Sequence, residues 1–427
     1  MSSYQTFVFE SYDFNPATGL ATFVYGYDNT LSFTETFSFD FDAVNHDSQA
    51  LDRALQLLFF MAGISYYKMY LAPEIEIKMG RIDGELAAFL NQTYQQGLGE
   101  FYYVNQLPLI TSDIFESNAS PLATVSNHND GGALIGLGGG KDSLVSVEIM
   151  RAENNIATWS VGHKSQLTPL VKRIGLPHFW VERAWDPSML EHNNSGAYNG
   201  HVPISAILAC AGVVAAILSE KRDVVVSNEQ SANEPTLEYQ GTAINHQYSK
   251  SQQFEEAFQK LLEANFGDSV RYYSLLRPFS ELKIAELFSI DSFDKYHDVF
   301  SSCNRAFTHD RSEMFWDGSC PKCAFVFLAL TPFVGREKLE KLFSGKNLLL
   351  DDSLTETYEQ LLGLSGDKPL ECVGEIKESR TAMRLAQEIY PQLDRYEFDL
   401  PADYDFRAWQ PHSMPTDVFE YLVSKLG

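Results

Sequence analysis

The chain has 427 residues, of which 44% are hydrophobic and 13% aromatic, enough to bury a core in each of two or three structural units. Its formal net charge of −25 leaves no visible basic face, which a long-lived nucleic-acid partner would need. We therefore expect no nucleic-acid partner.

The cysteines and apolar segments bear on where the protein works. Five cysteines are few for this length and odd in number, which is typical of reduced thiols in the cytoplasm. The first residues, Met1-Ser-Ser-Tyr4, lack the features of a signal peptide. The longest apolar run, Val202–Leu218, is about 17 residues long, whereas a bilayer-spanning helix needs roughly 20. We expect a cytoplasmic protein without a membrane partner, in which this run is a buried helix.

The N-terminal part begins with alternating apolar and polar residues. From Tyr4 to Phe41 this alternation, broken by turn signals, predicts an antiparallel meander of about three strands. Two amphipathic helices follow, one around 51–59 and one over Asp83–Val104. A stretch rich in Pro, Ser, Asn and Asp, Gln106–Gly132, is typical of a linker. We assign residues 1–125 to an N-terminal α+β domain.

Strands and helices alternate from Ala133 onward. This rhythm predicts an α/β domain over 126–300 with a parallel sheet, helices on both faces and ligands at the carboxyl ends of the strands. We expect residues 301–427 to form a mostly helical C-terminal region. The predicted strands are Ala133–Leu137, Ala157–Val161, His178–Val181, Asp223–Ser227 and Val270–Leu275.

A glycine-rich loop follows the first of these strands and opens a predicted helix. Three successive glycines let the backbone turn tightly and direct N–H groups to one point, and the helix N-terminus favours an anion there. The spacing fails the Walker pattern, which needs glycine at Ile135 and Ser or Thr at Asp142. It also fails the dinucleotide fingerprint. We predict a phosphate loop made of Gly138, Gly139, Gly140, Lys141, Asp142 and Ser143.

The phosphate loop resembles the Ser-Gly-Gly-x-Asp-Ser motif (PP-loop) of the N-type ATP pyrophosphatases, with Gly138 in place of the first serine. This superfamily includes GMP synthetase, asparagine synthetase, argininosuccinate synthetase and several tRNA-modifying enzymes. The resemblance implies a flavodoxin-like α/β domain that binds ATP and Mg²⁺, with Asp142 as metal ligand, and forms an adenylate with release of diphosphate. It also implies that the second strand, ending at Gly162, approaches the adenine, although a plain core strand fits this segment equally well.

Two polar segments follow later strands of the predicted sheet. Strand Asp223–Ser227 leads into a loop that contains Glu229 and Glu234, and a second loop contains His246 and Lys250. Polar residues at the carboxyl end of a strand are where an active site is expected. The second loop is also typical of a helix cap. We predict Glu234, His246 and Lys250 as catalytic candidates and Glu229 as a substrate-binding residue.

A group of cysteines lies farther along the chain. Cys303 is followed by the pair Cys320 and Cys323, and His309 lies between them. Such a set can bind zinc, but a helix cap fits as well and a fourth cysteine is missing. We therefore expect dependence on Mg²⁺ and little tightly bound zinc. Three nearby cations are predicted to bind anionic groups of a substrate, with a solvated loop as the alternative: Arg305, Arg311 and Lys322.

Taken in order, five motifs resemble those of the UDP-N-acetylmuramoyl-L-alanyl-L-glutamate epimerases over about Ala133–Phe333. They are Gly138–Ser143, Ser227–Glu234, Asn245–Ser251, Ser302–Arg305 and Cys320–Val326. The resemblance implies inversion of the terminal L-glutamate of a nucleotide-sugar dipeptide, through an acyl-adenylate, during synthesis of peptidoglycan precursors. A base removes the α-proton after adenylation, and AMP and diphosphate are released. The catalytic candidates are then Asp142, Glu234, His246, Lys250 and Cys303; Cys320 and Cys323 could also act from opposite faces.

Two other functions remain open at this point. An adenylating enzyme acting on tRNA or a deazapurine precursor would use the cysteines for zinc or sulfur, but the net charge of −25 and the missing fourth cysteine disfavour it. A non-catalytic nucleotide sensor would need only the phosphate loop. Such a sensor gives no reason for polar residues at several strand ends.

Overall fold

The computed structural model describes residues 4–41, 47–307, 312–400 and 402–427. No helix within these ranges is both long and apolar enough to cross a bilayer. The strands are β1 (Thr6–Asn15), β2 (Leu20–Tyr27), β3 (Leu31–Phe39), β4 (Glu74–Ile77), β5 (Ala133–Gly136), β6 (Ile156–Val161), β7 (His178–Ala184), β8 (Asp223–Val226), β9 (Leu237–Tyr239), β10 (Thr242–Ile244) and β11 (Arg271–Ser274).

Helices alternate with the strands along the described chain and continue after the last strand. They are α1 (Ser48–Ala62), α2 (Ile64–Tyr67), α3 (Gly84–Gly97), α4 (Gly99–Val104), α5 (Lys141–Met150), α6 (Lys164–Ile174), α7 (Ser188–Asn194), α8 (Ile204–Leu218), α9 (Gln252–Phe266), α10 (Glu281–Asp291), α11 (Phe293–Tyr296), α12 (Pro321–Leu330), α13 (Arg336–Leu342), α14 (Thr355–Leu361), α15 (Ile376–Gln387) and α16 (Thr416–Leu426).

Nine of the described strands form one sheet, in the order β11-β8-β5-β6-β7-β3-β2-β1-β4. The five strands from β11 to β7 are parallel, and the predicted parallel sheet is therefore confirmed. The predicted meander of β1, β2 and β3 is confirmed as well. The two parts are joined because β3 pairs antiparallel with β7, with Phe39 opposite Val181. The antiparallel meander and the parallel strands, which the sequence predicts as two separate units, therefore form one continuous sheet.

The parallel strands have a different order from the one that the resemblance implies. Numbered among themselves along the chain, they lie in the order 3-2-1-4-5, whereas flavodoxin has the order 2-1-3-4-5. The physical reason is the packing of helix α8 on β5 and β8. Helix α8 leads the chain back across the sheet, so that β8 pairs with β5 on the side opposite β6. The strand order therefore reverses between β5 and β8. Ligands of such sheets bind at this switch point, beyond the carboxyl ends of the strands.

Helices cover both faces of the parallel strands. Leu134 and Val224 face a core shared with α1 and α8, while their neighbours Ile135 and Val225 face a core shared with α5, α10 and α12. Helix α8 is buried along almost its full length, so the prediction of a buried helix there is confirmed. Gly212 allows its close approach, because a Cβ there would lie 2.8 Å from Val224 and 2.9 Å from Trp159.

The region after α10 is helical, as predicted, and packs on the face that carries α5. Its segment around Glu371–Glu378 reaches the carboxyl ends of the parallel strands, because Glu378 accepts a hydrogen bond of 2.8 Å from the backbone N–H of Glu281. The boundaries near residues 125 and 300 stay predictions.

Candidate active site

The phosphate loop lies between the end of β5 and the start of α5. Gly139 has φ of +89°, and a Cβ there would lie 2.7 Å from Phe307, so both backbone and space require glycine. Gly140 is the N-cap of α5, and no side chain caps this helix. Next to Gly138 the space is open, since a Cβ there would meet no atom within 4 Å. An anion can therefore approach the N–H groups of the helix N-terminus.

Two carboxylates pair with the buried Lys141 behind this loop, and a third lies close to them. Lys141 is 1% exposed and pairs with Asp142 and Glu281, and oxygens of Asp142, Glu229 and Glu281 lie within 4.8 Å of one another. We call these three residues the acidic cluster. Burial alone would lower the pKa of Lys141, but the carboxylates of Asp142 and Glu281 outweigh it and raise that pKa, so the lysine is charged.

A second group of titratable residues is centred on Cys372. The Nζ of Lys250 donates to the Cys372 Sγ over 3.2 Å, and His246 bonds to the same thiol and to Glu100. Burial raises the pKa of Cys372, but the charges of Lys250 and His246 outweigh it and lower that pKa to about 6. Burial likewise opposes the charging of His246, whereas Cys372 and Glu100 raise its pKa to about 9. At neutral pH the group is a thiolate beside two cations.

The N-terminal part of the chain supplies one side of this group. Glu100, in the first turn of α4, contacts His246 and lies 3.4 Å from His201. Burial lowers the pKa of His201 to about 4, so this histidine is neutral at pH 7. We call Cys372, Lys250, His246, Glu100 and His201 the Cys372 cluster.

The acidic cluster and the Cys372 cluster are neighbours. Lys250 connects them, because the charges of Cys372, Glu229 and Asp142 all raise its pKa. Lys322 donates from its Nζ to the backbone carbonyl of Cys372 and is only 9% exposed. The structure thus brings together His246, Lys250, Glu229, Lys322 and the phosphate loop, at the switch point of the sheet.

Other predicted residues lie elsewhere. Glu234 pairs with Lys368 and borders a cavity of about 410 Å³, whose lining includes Lys377 and Arg380. Gly162 follows β6 with φ of +66°, and its N–H donates to the Val181 carbonyl over 2.8 Å. Its role next to adenine stays a prediction.

The cysteine segment forms a group of its own. Cys303 lies 4.0 Å from Cys320, Sγ to Sγ, rather than among the residues around Cys372. Arg305 is exposed and forms an ion pair of 2.9 Å with Asp317. His309 and Arg311 lie outside the described residues.

Four residues of the two clusters were missed from the sequence. Glu281 follows the N-cap Ser280, a pattern that indicates a helix start and no chemistry. Cys372 has no partner cysteine or histidine near it in the sequence, and Glu100 and His201 belong to segments without a motif. Only their distances in the folded chain could have identified them.

A buried arginine holds the two polar loops in place. Arg277 is fully buried and donates to the carbonyls of Glu229, at 2.7 Å, and Lys250, and to the carboxylate of Glu255. Replacing it with methionine leaves the Glu255 charge buried without its partner, which typically costs about 3–5 kcal/mol. We expect Arg277→Met to lower the free energy of unfolding by about that amount, measured by urea denaturation.

The matched control for this variant is Arg336→Met. Arg336 pairs with Glu340 on an exposed face of α13, so its loss should barely move the urea midpoint. Equal midpoints for the two variants would contradict the role assigned to Arg277.

Fold and site together define an α/β protein with a doubly wound parallel sheet and a charged site at its switch point. Comparison with known families then identifies the chain more closely. Residues 1–275 match the MurL N-terminal domain, and residues 299–395 match the MurL C-terminal domain. The chain belongs to the MurL family.

Curated relatives resemble the chain over nearly its whole length. A protein of Xanthomonas oryzae pv. oryzae named UDP-N-acetyl-alpha-D-muramoyl-L-alanyl-L-glutamate epimerase is 39% identical over 418 residues, which cover 91% of each chain. A protein of the same name from Micromonospora sp. is 39% identical over 90% of this chain and 87% of its own. A third, from Salinispora tropica, is 38% identical over 90% and 85%. The resemblance to this epimerase family is confirmed.

Proposed function

We propose that the protein inverts the terminal L-glutamate of UDP-N-acetylmuramoyl-L-alanyl-L-glutamate to D-glutamate, at the expense of ATP, in the synthesis of peptidoglycan precursors. The observation that carries this proposal is the proximity of the two clusters. Lys250 donates a hydrogen bond to the thiol of Cys372, and the charges of Asp142 and Glu229 raise the pKa of Lys250. A group that can move a proton therefore lies beside a loop that suits phosphate. The names of the relatives support the substrate.

Adenylation solves the chemical difficulty of this inversion. The α-carboxylate of the glutamate is an anion, so removal of the α-proton would place a second negative charge next to it. Attack of the carboxylate on the α-phosphate of ATP gives an acyl-adenylate and diphosphate, as in the PP-loop enzymes. The carbonyl of this neutral acyl group accepts the electron pair of the α-carbon as an enolate. Hydrolysis of the adenylate then releases AMP and the free carboxylate.

The residues of the acidic cluster fit a magnesium ion. Asp142, Glu229 and Glu281 offer three carboxylate oxygens in one place, and hard cations prefer such donors. Lys141 and Lys250 lie next to these carboxylates and limit the excess negative charge. When bound, Mg²⁺ would neutralise charge on the phosphates of ATP.

We assign removal of the α-proton to the thiolate of Cys372. Its pKa of about 6 keeps it deprotonated at neutral pH, and the charged His246 and Lys250 hold it in place. General-base catalysis of this kind contributes about 10²–10⁴ in rate. The enolate is planar, so a proton that solvent water delivers to the opposite face produces the D-centre. Cys372 then passes the removed α-proton to solvent.

The anionic nucleotide part of the substrate needs cations outside the two clusters. We assign this role to the cavity beside Glu234, where Lys377 and Arg380 lie in the lining. Within this lining Lys377 pairs with Glu375, whereas Arg305 is not part of the lining and pairs with Asp317. Binding energy from this remote part would position the α-carboxylate, and free glutamate should therefore react far more slowly.

An incubation in D₂O tests the proposal. The protein is mixed with ATP, Mg²⁺ and UDP-N-acetylmuramoyl-L-alanyl-L-glutamate, and the products are separated. AMP and diphosphate should appear only with this substrate, and the recovered glutamate should be the D-isomer with deuterium at Cα. The same mixture with free L-glutamate is the control and should release little diphosphate.

Two results would contradict parts of the proposal. If ATP is cleaved and the glutamate stays L and unlabelled, the chain adenylates without epimerising. If ATP is bound and never cleaved, the adenylation step is absent.

A further inference from the structure

Four side chains with metal-binding atoms meet near the N-terminus of α12, apart from the residues used above. Cys303, Asp317, Cys320 and Cys323 place one donor atom each within 4.8 Å of all the others. The three cysteines are at most 3% exposed, and the side chain of Asp317 is 9% exposed. We call these four residues the cysteine cluster. A buried group of three thiols and a carboxylate has few structural uses.

Two distances in the cysteine cluster are close to those of a tetrahedral zinc site. The Sγ atoms of Cys303 and Cys320 are 4.0 Å apart. Two thiolates bound tetrahedrally to zinc at about 2.3 Å would lie about 3.8 Å apart. The Sγ of Cys323 lies 3.0 Å from Oδ1 of Asp317, where a metal-bound pair would be about 3.5 Å apart. For these two pairs, a shift of a few tenths of an ångström would admit the ion, and the other donor atoms lie within 4.8 Å of one another.

We propose that Cys303, Asp317, Cys320 and Cys323 bind a structural zinc ion. Binding replaces the thiol protons with the metal, and these protons pass to solvent. Four protein ligands make a closed site without a position for substrate, which is the property of structural zinc. The expectation of little bound zinc counted three nearby cysteines and no fourth donor. Asp317 is the fourth donor.

Neighbouring groups support the ligands. The N–H of Cys323 donates to the Sγ of Cys320 at 3.4 Å, and Arg305 pairs with Oδ2 of Asp317 at 2.9 Å, leaving Oδ1 facing the cysteines. Such outer contacts orient metal ligands and offset the negative charge of the site. Oδ1 of Asp317 also accepts from the N–H groups of Ser319, at 3.0 Å, and Cys320, at 3.2 Å, as in an ordinary turn. A turn of this kind does not need three converging thiols.

The ion would fix the segment that supports the phosphate loop. Ser301 donates its N–H to the carbonyl of Gly139 over 3.0 Å. The hydroxyl of Ser302 lies so close to Gly140 that a Cβ there would approach it to 2.7 Å. Cys303 comes next in the chain, so a zinc ion that ties it to the start of α12 would hold this support in place. The proposal therefore assigns the metal a positioning role and no part in proton transfer.

Metal analysis of the full chain tests the proposal. The protein is purified under reducing conditions without chelators, and zinc is measured by mass spectrometry. We expect about one zinc per chain in the wild type and in Cys210→Ser, whose cysteine lies buried in α8. Asp317→Asn keeps an oxygen for the turn, so the fold should survive. Its zinc affinity should fall at least about tenfold, since even an outer contact is worth about 10–100-fold.

Cobalt gives a second measurement that a purely structural effect would not produce. Co²⁺ added to the metal-free protein should give the intense visible bands of a tetrahedral thiolate site, weakened in Cys323→Ser. Zinc should raise the thermal midpoint of the metal-free wild type. Reduced wild-type protein that takes up neither zinc nor cobalt would overturn the proposal. Unchanged zinc affinity in Asp317→Asn would remove Asp317 from the site.

Discussion

Cys372→Ser should lower the formation of D-glutamate and the uptake of deuterium at Cα by about 10²–10⁴-fold. A serine hydroxyl has a far higher pKa than the thiol, which Lys250 and His246 lower to about 6, so the variant lacks the base at neutral pH. Release of diphosphate should continue, because the phosphate loop and the acidic cluster are untouched. The measurement is substrate-dependent diphosphate release alongside deuterium uptake, in the same reaction.

The pH profile and a second cysteine variant check this assignment. In the wild type, kcat/KM should rise as pH passes about 6, where the thiolate forms, and fall above about 9, where His246 loses its charge. Cys210→Ser should retain the wild-type profile. Cys372→Ser with full deuterium uptake would show that another residue removes the proton.

Asp142→Ala should reduce diphosphate release by at least about 10²-fold. Asp142 contributes one of the three oxygens proposed for Mg²⁺ and lies at the start of α5, where the phosphates are expected. The fold should remain, because Lys141 keeps its partner Glu281 in the core. A coupled diphosphate assay measures the effect, with circular dichroism as the check on folding.

Glu153→Ala is the control for the loss of one negative charge. Glu153 is exposed just beyond α5 and lies outside both clusters, so this variant should turn over at the wild-type rate. Wild-type diphosphate release in Asp142→Ala would refute the assignment of the phosphate loop.

Local sequence patterns predicted the strands and helices, but they did not predict which strands pair when these are distant in the sequence. The loop at Gly138 was recognisable because its glycines, the strand before it and the helix after it are contiguous in the chain. The pairing of β3 with β7 was not, because periodicity indicates a strand and does not name its partner. The strand order depends on where α8 packs, which is a property of the whole core.

The candidate site divides in the same way. His246 and Lys250 were found because they follow a predicted strand, where ligands bind. Cys372 comes more than a hundred residues later, and folding alone places it next to Lys250. Asp317 was not predicted as a fourth zinc ligand because zinc motifs in a sequence are recognised by cysteine and histidine, although an aspartate oxygen also binds zinc.

The junction between β3 and β7 has a consequence for how the protein is made. The ribosome synthesises β3 first, and its partner β7 follows about 140 residues later. At usual rates of synthesis the delay between the two strands is on the order of ten seconds. During that interval the nascent chain presents an unpaired edge next to Phe37 and Phe39, which invites pairing with other chains. Yield in a heterologous host should therefore depend on chaperones that bind this early segment before the rest is synthesised.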